Sequence, residues 1–164
     1  MKQIYKILML LSMLALSGCS VNHDAVRQSP AAGFSYRHTD FDYKVAWNTT
    51  QAENEVVIDG ILKNVRYTNI EQLDLTIFLR GPDGKLRARV TTIPFPQQSK
   101  IDEVASFSAK MHNITIKQGD TLQFLIHYLG TEGAGGGIDW ISTFSADALT
   151  GASHHHDRVK AGDW

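Results

Sequence analysis

Cys19 offers the most definable chemistry in this 164-residue chain. A cysteine thiolate is nucleophilic enough to accept an alkyl or acyl group. Leu16, Ser17 and Gly18 precede it, and the two small residues let the backbone enter a protease cleft. Cys19 is the sole cysteine, so no intrachain disulfide forms, and a bare thiol is a liability in an oxidising compartment. The other chemically conspicuous stretch is His154-His155-His156-Asp157. Imidazole and carboxylate are good ligands for zinc, nickel or copper. Neighbouring side chains on an extended chain point alternately, however, and a structural zinc site gathers four fixed ligands. The tract is expected to be a solvated tail, with metal binding or delivery as its alternative use.

The elements before Cys19 explain its setting. Met1 to Lys6 carries Lys2 and Lys6 and no acid, and Ile7 to Leu16 is almost wholly apolar. A basic start, a short apolar run and small residues at a cleavage point describe a secretory signal peptide, here residues 1–18. The run is too short to cross a bilayer, which takes roughly 20 apolar residues. Leu16-Ser17-Gly18-Cys19 resembles the lipobox of bacterial lipoproteins. The resemblance implies that Cys19 is acylated and becomes the first residue of the mature chain. Ordinary cleavage after Ser17, with Cys19 a bystander, is the alternative. Ser20 stands where an Asp usually signals inner-membrane retention, which favours the outer membrane, facing the periplasm, if the source is Gram-negative.

Without the leader, 146 residues remain, enough for one domain with a real core. Loss of Lys2 and Lys6 leaves 14 bases against 17 acids. That balance excludes the strong basic excess of nucleic-acid binders. Ser20 to Gly33 is small and polar, with Pro30 and Gly33, and reads with Cys19 as a flexible tether over residues 19–33.

From Phe34 the chain alternates with period two. Phe41, Tyr43, Val45 and Trp47 predict a strand, and Asn48 to Asn54 a turn. Glu55 to Val65 predicts a second strand, with Gly60 on the buried parity beside Val56, Ile58 and Leu62. Leu73, Leu75, Ile77 and Leu79 form one face of a third. Gly81-Pro82-Asp83-Gly84 is turn chemistry, and Lys85 to Ile93 returns as the partner strand. Pro94 and Pro96 end it. Further strands are expected at Glu103 to Met111, Asn113 to Ile116, Leu122 to Tyr128 and Ile138 to Phe144. Gly130 to Gly137 is expected to be a connecting loop. About seven short strands with polar turns predict an all-β, immunoglobulin-like antiparallel β-sandwich over residues 34–149, followed by a His-containing tail over 150–164. Trp47 and Trp140 are expected in its core. Arg66, Arg80, Lys85, Arg87 and Arg89 form either a basic rim or a solvated face that discourages edge pairing.

Residues 55–128 resemble the immunoglobulin-like sandwich domains of bacterial surface lipoproteins, in the manner of the FxLYD families. Ile58 to Asn64, the strand Leu73 to Leu79, the turn Asp83-Gly84-Lys85 and Glu103 to Phe107 carry the resemblance. Ile77-Phe78-Leu79-Arg80-Gly81 departs from the Phe-x-Leu-Tyr-Asp signature. The resemblance implies an adhesive or accessory surface module and no catalytic residues.

Enzyme motifs are missing from the sequence. There is no G-x-S-x-G elbow and no H-E-x-x-H pair. Gly133-x-Gly135 would need a glycine at Ile138 to read as a dinucleotide loop. His38, His112 and His127 are scattered, and Asp102 and Glu103 alternate in direction. The chain is therefore expected to be a non-enzymatic, membrane-anchored envelope lipoprotein without a cofactor beyond its lipid. Its sandwich is expected to meet another envelope protein, and a metal-delivery lipoprotein using His154 to His156 is the alternative.

Overall fold

The computed structural model describes residues 29–131 and 137–153. Leu16 to Cys19 and His154 to Asp157 therefore lie outside the described residues. Among the described residues, eight strands form two antiparallel sheets: β1 (Tyr36–Thr39), β2 (Tyr43–Ala52), β3 (Glu55–Asn64), β4 (Asn69–Arg80), β5 (Leu86–Thr92), β6 (Val104–His112), β7 (Thr121–Thr131) and β8 (Gly137–Asp147). One sheet has the order β1-β2-β3-β6, the other β5-β4-β7-β8. With β1 set aside, the order is ABE against C′CFG in immunoglobulin lettering, the sandwich read from the alternation.

The inward parity builds one core between the sheets. Val45 and Trp47, Val56, Ile58 and Leu62, Leu73 to Leu79 at every second residue, and Leu122, Phe124 and Ile126 are all buried in it. At its centre Trp47 leans on Phe124 at 5.0 Å and Phe144 at 5.7 Å between ring centroids. Phe144 stacks on Phe124 at 4.6 Å and on His38 at 3.9 Å. Aromatic pairs of this kind contribute about 0.5–1.5 kcal/mol each beyond burial alone.

Several sequence expectations shift. β1 joins the sheet although Arg37 and His38 break any apolar alternation, because its backbone pairs along Tyr36↔Trp47 to Thr39↔Lys44. Phe41 is not a strand residue. Asp40 accepts the Phe41 N–H at 2.7 Å and its own N–H reaches Tyr43 O at 2.9 Å, folding residues 40–42 into a turn. Asn48 to Ala52 continues β2 instead of turning. Its polar side chains sit on a solvated strand end, and the turn shrinks to Glu53-Asn54, with Glu53 at φ 34°. Asn113 to Ile116 is not a strand, since Asn113 turns left-handed at φ 56° and lifts the chain off the β6 ladder. The glycine-rich stretch narrows at both ends, because Gly130 and Thr131 pair with Ile138 and Gly137.

Packing also extends past both expected boundaries of the sandwich. Ala31 is buried against Ala46 and Ile61 on the outer face of the first sheet, with Phe34 and Val104 beside it. Arg37 Nη2 fixes this segment by donating to Ala31 O at 3.0 Å. At the other terminus Gly151, at φ 65°, lies flat against the Tyr36 ring, where no Cβ would fit. Ser153 bridges to Ala146.

Candidate interaction face

The outward parity of β5-β4-β7-β8 forms a four-stranded face that no other described segment covers. Its rows follow from the register. Arg89, Phe78, Gln123 and Ser145 lie side by side, then Thr91, Thr76, Leu125 and Thr143, then Asp74, His127 and Ile141. Ile93, just past β5, lines the same shallow depression as Asp74, Thr76, Arg89, Thr91, Leu125, His127 and Ile141.

Each row has its own chemistry. Phe78 is held between two cations, with Arg80 Cζ 5.7 Å and Arg89 Cζ 5.6 Å from its ring centre. Arg80 also donates through Nε to Gln123 Oε1 at 2.8 Å. Thr76 and Thr91 share a hydroxyl hydrogen bond of 2.9 Å across β4 and β5. His127 donates from Nε2 to Asp139 Oδ1 at 2.7 Å, and its Nδ1 lies 3.7 Å from Asp74 Oδ2. The imidazole thus ties β7 to β8 through Asp139 and has Asp74 of β4 as its neighbour on the other side. Among the described residues no group of three His, Cys, Asp or Glu is arranged to hold a metal. Of these, the aromatic Phe78 and the arginines are residue types that protein interfaces favour, and Ile93 and Ile141 are exposed on the same face.

The basic residues read together in the sequence are dispersed. Arg80 and Arg89 meet at Phe78, but Arg87 turns away and pairs with Asp120, whose side chain is fully buried. Lys85 pairs with Asp83 in the hairpin turn at 3.2 Å. Arg66 lies at the opposite end of the sandwich. There it binds Asp42 Oδ1 and the Tyr128 hydroxyl, both at 3.2 Å, and covers the Trp140 ring at 5.3 Å. Trp140 is accordingly not a core residue but 42% exposed. It has the inward parity, yet β1 opposite it is too short to cover the start of β8.

Next to Arg66 is a second polar group. Tyr43 Oη lies 2.8 Å from Ser142 Oγ and 3.3 Å from Asp40 Oδ2, and Ser142 donates to Asp40 at 3.1 Å. Burial pushes the Tyr43 phenol up, and Asp40 beside it adds to the rise. Burial also raises Tyr128, to about 12, against the lowering effect of Arg66. Burial alone would raise Asp40, but the bonds from Phe41 N–H, Ser142 and Tyr43 outweigh it and hold the carboxyl below its ordinary value. These groups satisfy one another and tie β8 to the β1–β2 turn. Sequence reasoning missed this cluster because its members are about 100 residues apart.

No protein-family model and no curated protein matches the chain. Solved structures do. The crystal structure of a bromine derivative of BhCBM56 is similar over 68% of this chain and 98% of its own, at 15% identity and a TM-score of 0.35. A Bacteroides uniformis β-glucuronidase 2, covalently bound to a cyclophellitol-6-carboxylate aziridine, is similar over 63% of this chain, at 18% identity and a TM-score of 0.37. This chain spans only 13% of that enzyme.

Proposed function

We propose that the chain is a non-enzymatic lipoprotein of the cell envelope, anchored through an acylated Cys19 in the outer membrane and facing the periplasm. Its sandwich is a protein-interaction module, and the β5-β4-β7-β8 face is the surface that meets the partner. The lipobox-like Leu16 to Cys19 supports the anchor. The observation that carries the binding role is the asymmetry of the two outer faces. The N-terminal segment packs over half of one through Ala31 and Phe34, and the rest of that face is polar, with Asp59, Ser108 and Lys110. The other presents Phe78, Leu125 and Ile141 among Arg89, His127 and paired threonines.

Photo-crosslinking in intact cells tests this. A crosslinking residue at Leu125 or Thr143 is expected to capture one reproducible partner, while one at Asp59 or Ser108 on the other sheet captures none. Equal capture from both faces, or none from either, refutes the assignment.

A further inference from the structure

Three loops meet at one end of the sandwich. Residues 40–42 and 65–68 are joined by Val65 N–H donating to Asp42 O at 3.1 Å. The loop before β6 joins them through Asp102 N–H, which donates to Asn64 O at 2.8 Å. Each carries an outward apolar residue: Phe41 is 81% exposed, Tyr67 90% and Ile101 36%. At the opposite end the turns Glu53-Asn54, Pro82 to Lys85 and Lys117 to Gly119 are polar, and the exposed apolar side chains are the aliphatic Leu86 and Leu149, with no exposed aromatic among the described residues there.

The N-terminal segment lies over the half of the first sheet nearest the apolar loops. Ala31 packs on Ile61, three residues before the end of β3, and Phe34 and Val104 pack on the same cluster, Val104 being the first residue of β6. Only nine residues lie between Cys19 and Ser29, a span of at most about 36 Å over ten Cα–Cα steps when fully extended. An anchor at Cys19 therefore keeps this end within reach of the bilayer.

We infer that Phe41, Tyr67 and Ile101 contact the lipid surface itself, so that the domain stands end-on with its β5-β4-β7-β8 face directed sideways. The inference rests on the anchor proposed above. Tyrosine favours the membrane–water boundary, and Phe and aliphatic side chains bury into it. Tethering supplies an effective concentration of about a millimolar, so a weak contact is enough to orient the domain. Charge does not drive it. Asp42 is paired by Arg66 and Asp102 by Lys63, and Asp40, Glu71 and Glu103 outnumber Lys44 and Lys100 around these loops. The contact is therefore stronger on zwitterionic than on anionic lipid.

The test uses residues 19–164 made without acylation and coupled through the Cys19 thiol to a maleimide lipid in phosphatidylcholine vesicles. The comparison is the same protein capped with a soluble maleimide. Amide hydrogen exchange is expected to slow at 40–42, 65–68 and 97–103 on coupling, and to stay unchanged at 53–54, 82–85 and 117–119. The double variant Phe41→Ser/Tyr67→Ser keeps its core protection and loses the slowing. Unchanged exchange at the apolar loops, or equal slowing at both ends, overturns the inference. Mass spectrometry of membrane-extracted protein reads the anchor separately. A missing acyl group on Cys19 defeats the anchor, while an acylated Cys19 with no loop slowing defeats only the end-on contact.

Discussion

The ring of Phe107 occupies the space directly over Gly60. The two residues are opposite each other in the β3–β6 ladder, and a Cβ on Gly60 would stand 2.4 Å from Phe107 Cζ and 2.5 Å from Ala46 O. Gly60→Ala therefore forces both a core ring and a neighbouring strand to shift. Overpacking of this kind costs about 1–3 kcal/mol. Urea unfolding is expected to show that loss with an unchanged slope, and a variant as stable as the parent would contradict the packing.

Asp120 closes the opposite end of the sandwich. Its buried carboxylate receives Arg87 Nη1 and the Lys117 N–H, while Arg87 Nη2 donates to Thr115 O at 3.0 Å. Removing one partner of a buried pair costs about 3–5 kcal/mol. Arg87 keeps some exposure and can re-solvate, so Asp120→Ala is expected near the low end, about 3 kcal/mol, measured by thermal or denaturant unfolding.

Alkaline and acid stability have separate sources. The raised Tyr43 and Tyr128 phenols contribute stability that is full below their ordinary value of 10.0 and is lost as pH rises above it. Asp40 is lowered from 3.8, so its contribution is present above that value and is lost as pH falls below it. Tyr43→Phe is expected to flatten the alkaline limb of the stability profile and Asp40→Asn the acid limb. An exchange of these effects would overturn the assignment.

The open face is expected to tolerate substitution better than the core. Phe78→Ser with Ile141→Ser removes the arginine-clamped ring and a 61% exposed side chain. Cation–π contacts at such sites contribute about 0.5–1 kcal/mol. The double variant should therefore remain folded by circular dichroism while losing partner crosslinks from Leu125. Retained crosslinking would move the binding surface elsewhere.

Cys19→Ser tests the anchor in cells. The variant is expected in the soluble periplasmic fraction or as an unprocessed precursor. Continued attachment of a processed form to the membrane would refute acylation at this residue.

The strands most legible in the sequence were those with one buried face. Leu73 to Leu79 and Leu122 to Tyr128 show strict alternation because the facing sheet buries every second residue. β1 was hidden because it is an edge strand, and its inward His38 carries no apolar signal although it stacks on Phe144. Trp140 was misplaced because parity gives the side of a sheet and says nothing about how far the facing sheet extends. The open face of the β5-β4-β7-β8 sheet is visible in the sequence only as a solvated parity. The meeting of Phe78 with two arginines, and of His127 with two aspartates, depends on cross-strand register, which local spacing does not encode.

The packing of Ala31 against Ala46 and Ile61 has a mechanical consequence. Tension entering the domain from the N-terminal side meets the Ser29–Phe34 turns first, held by Arg37 on Ala31 O and by Asn48 on Gly33 O. Behind them lies β1, with four residue pairs on β2. Pulled from its free end, such a short edge strand is stripped one pair at a time, whereas β2 and β3 present ten pairs together. The first strand is thus the mechanical fuse of the domain. It yields before the β5-β4-β7-β8 sheet is disturbed.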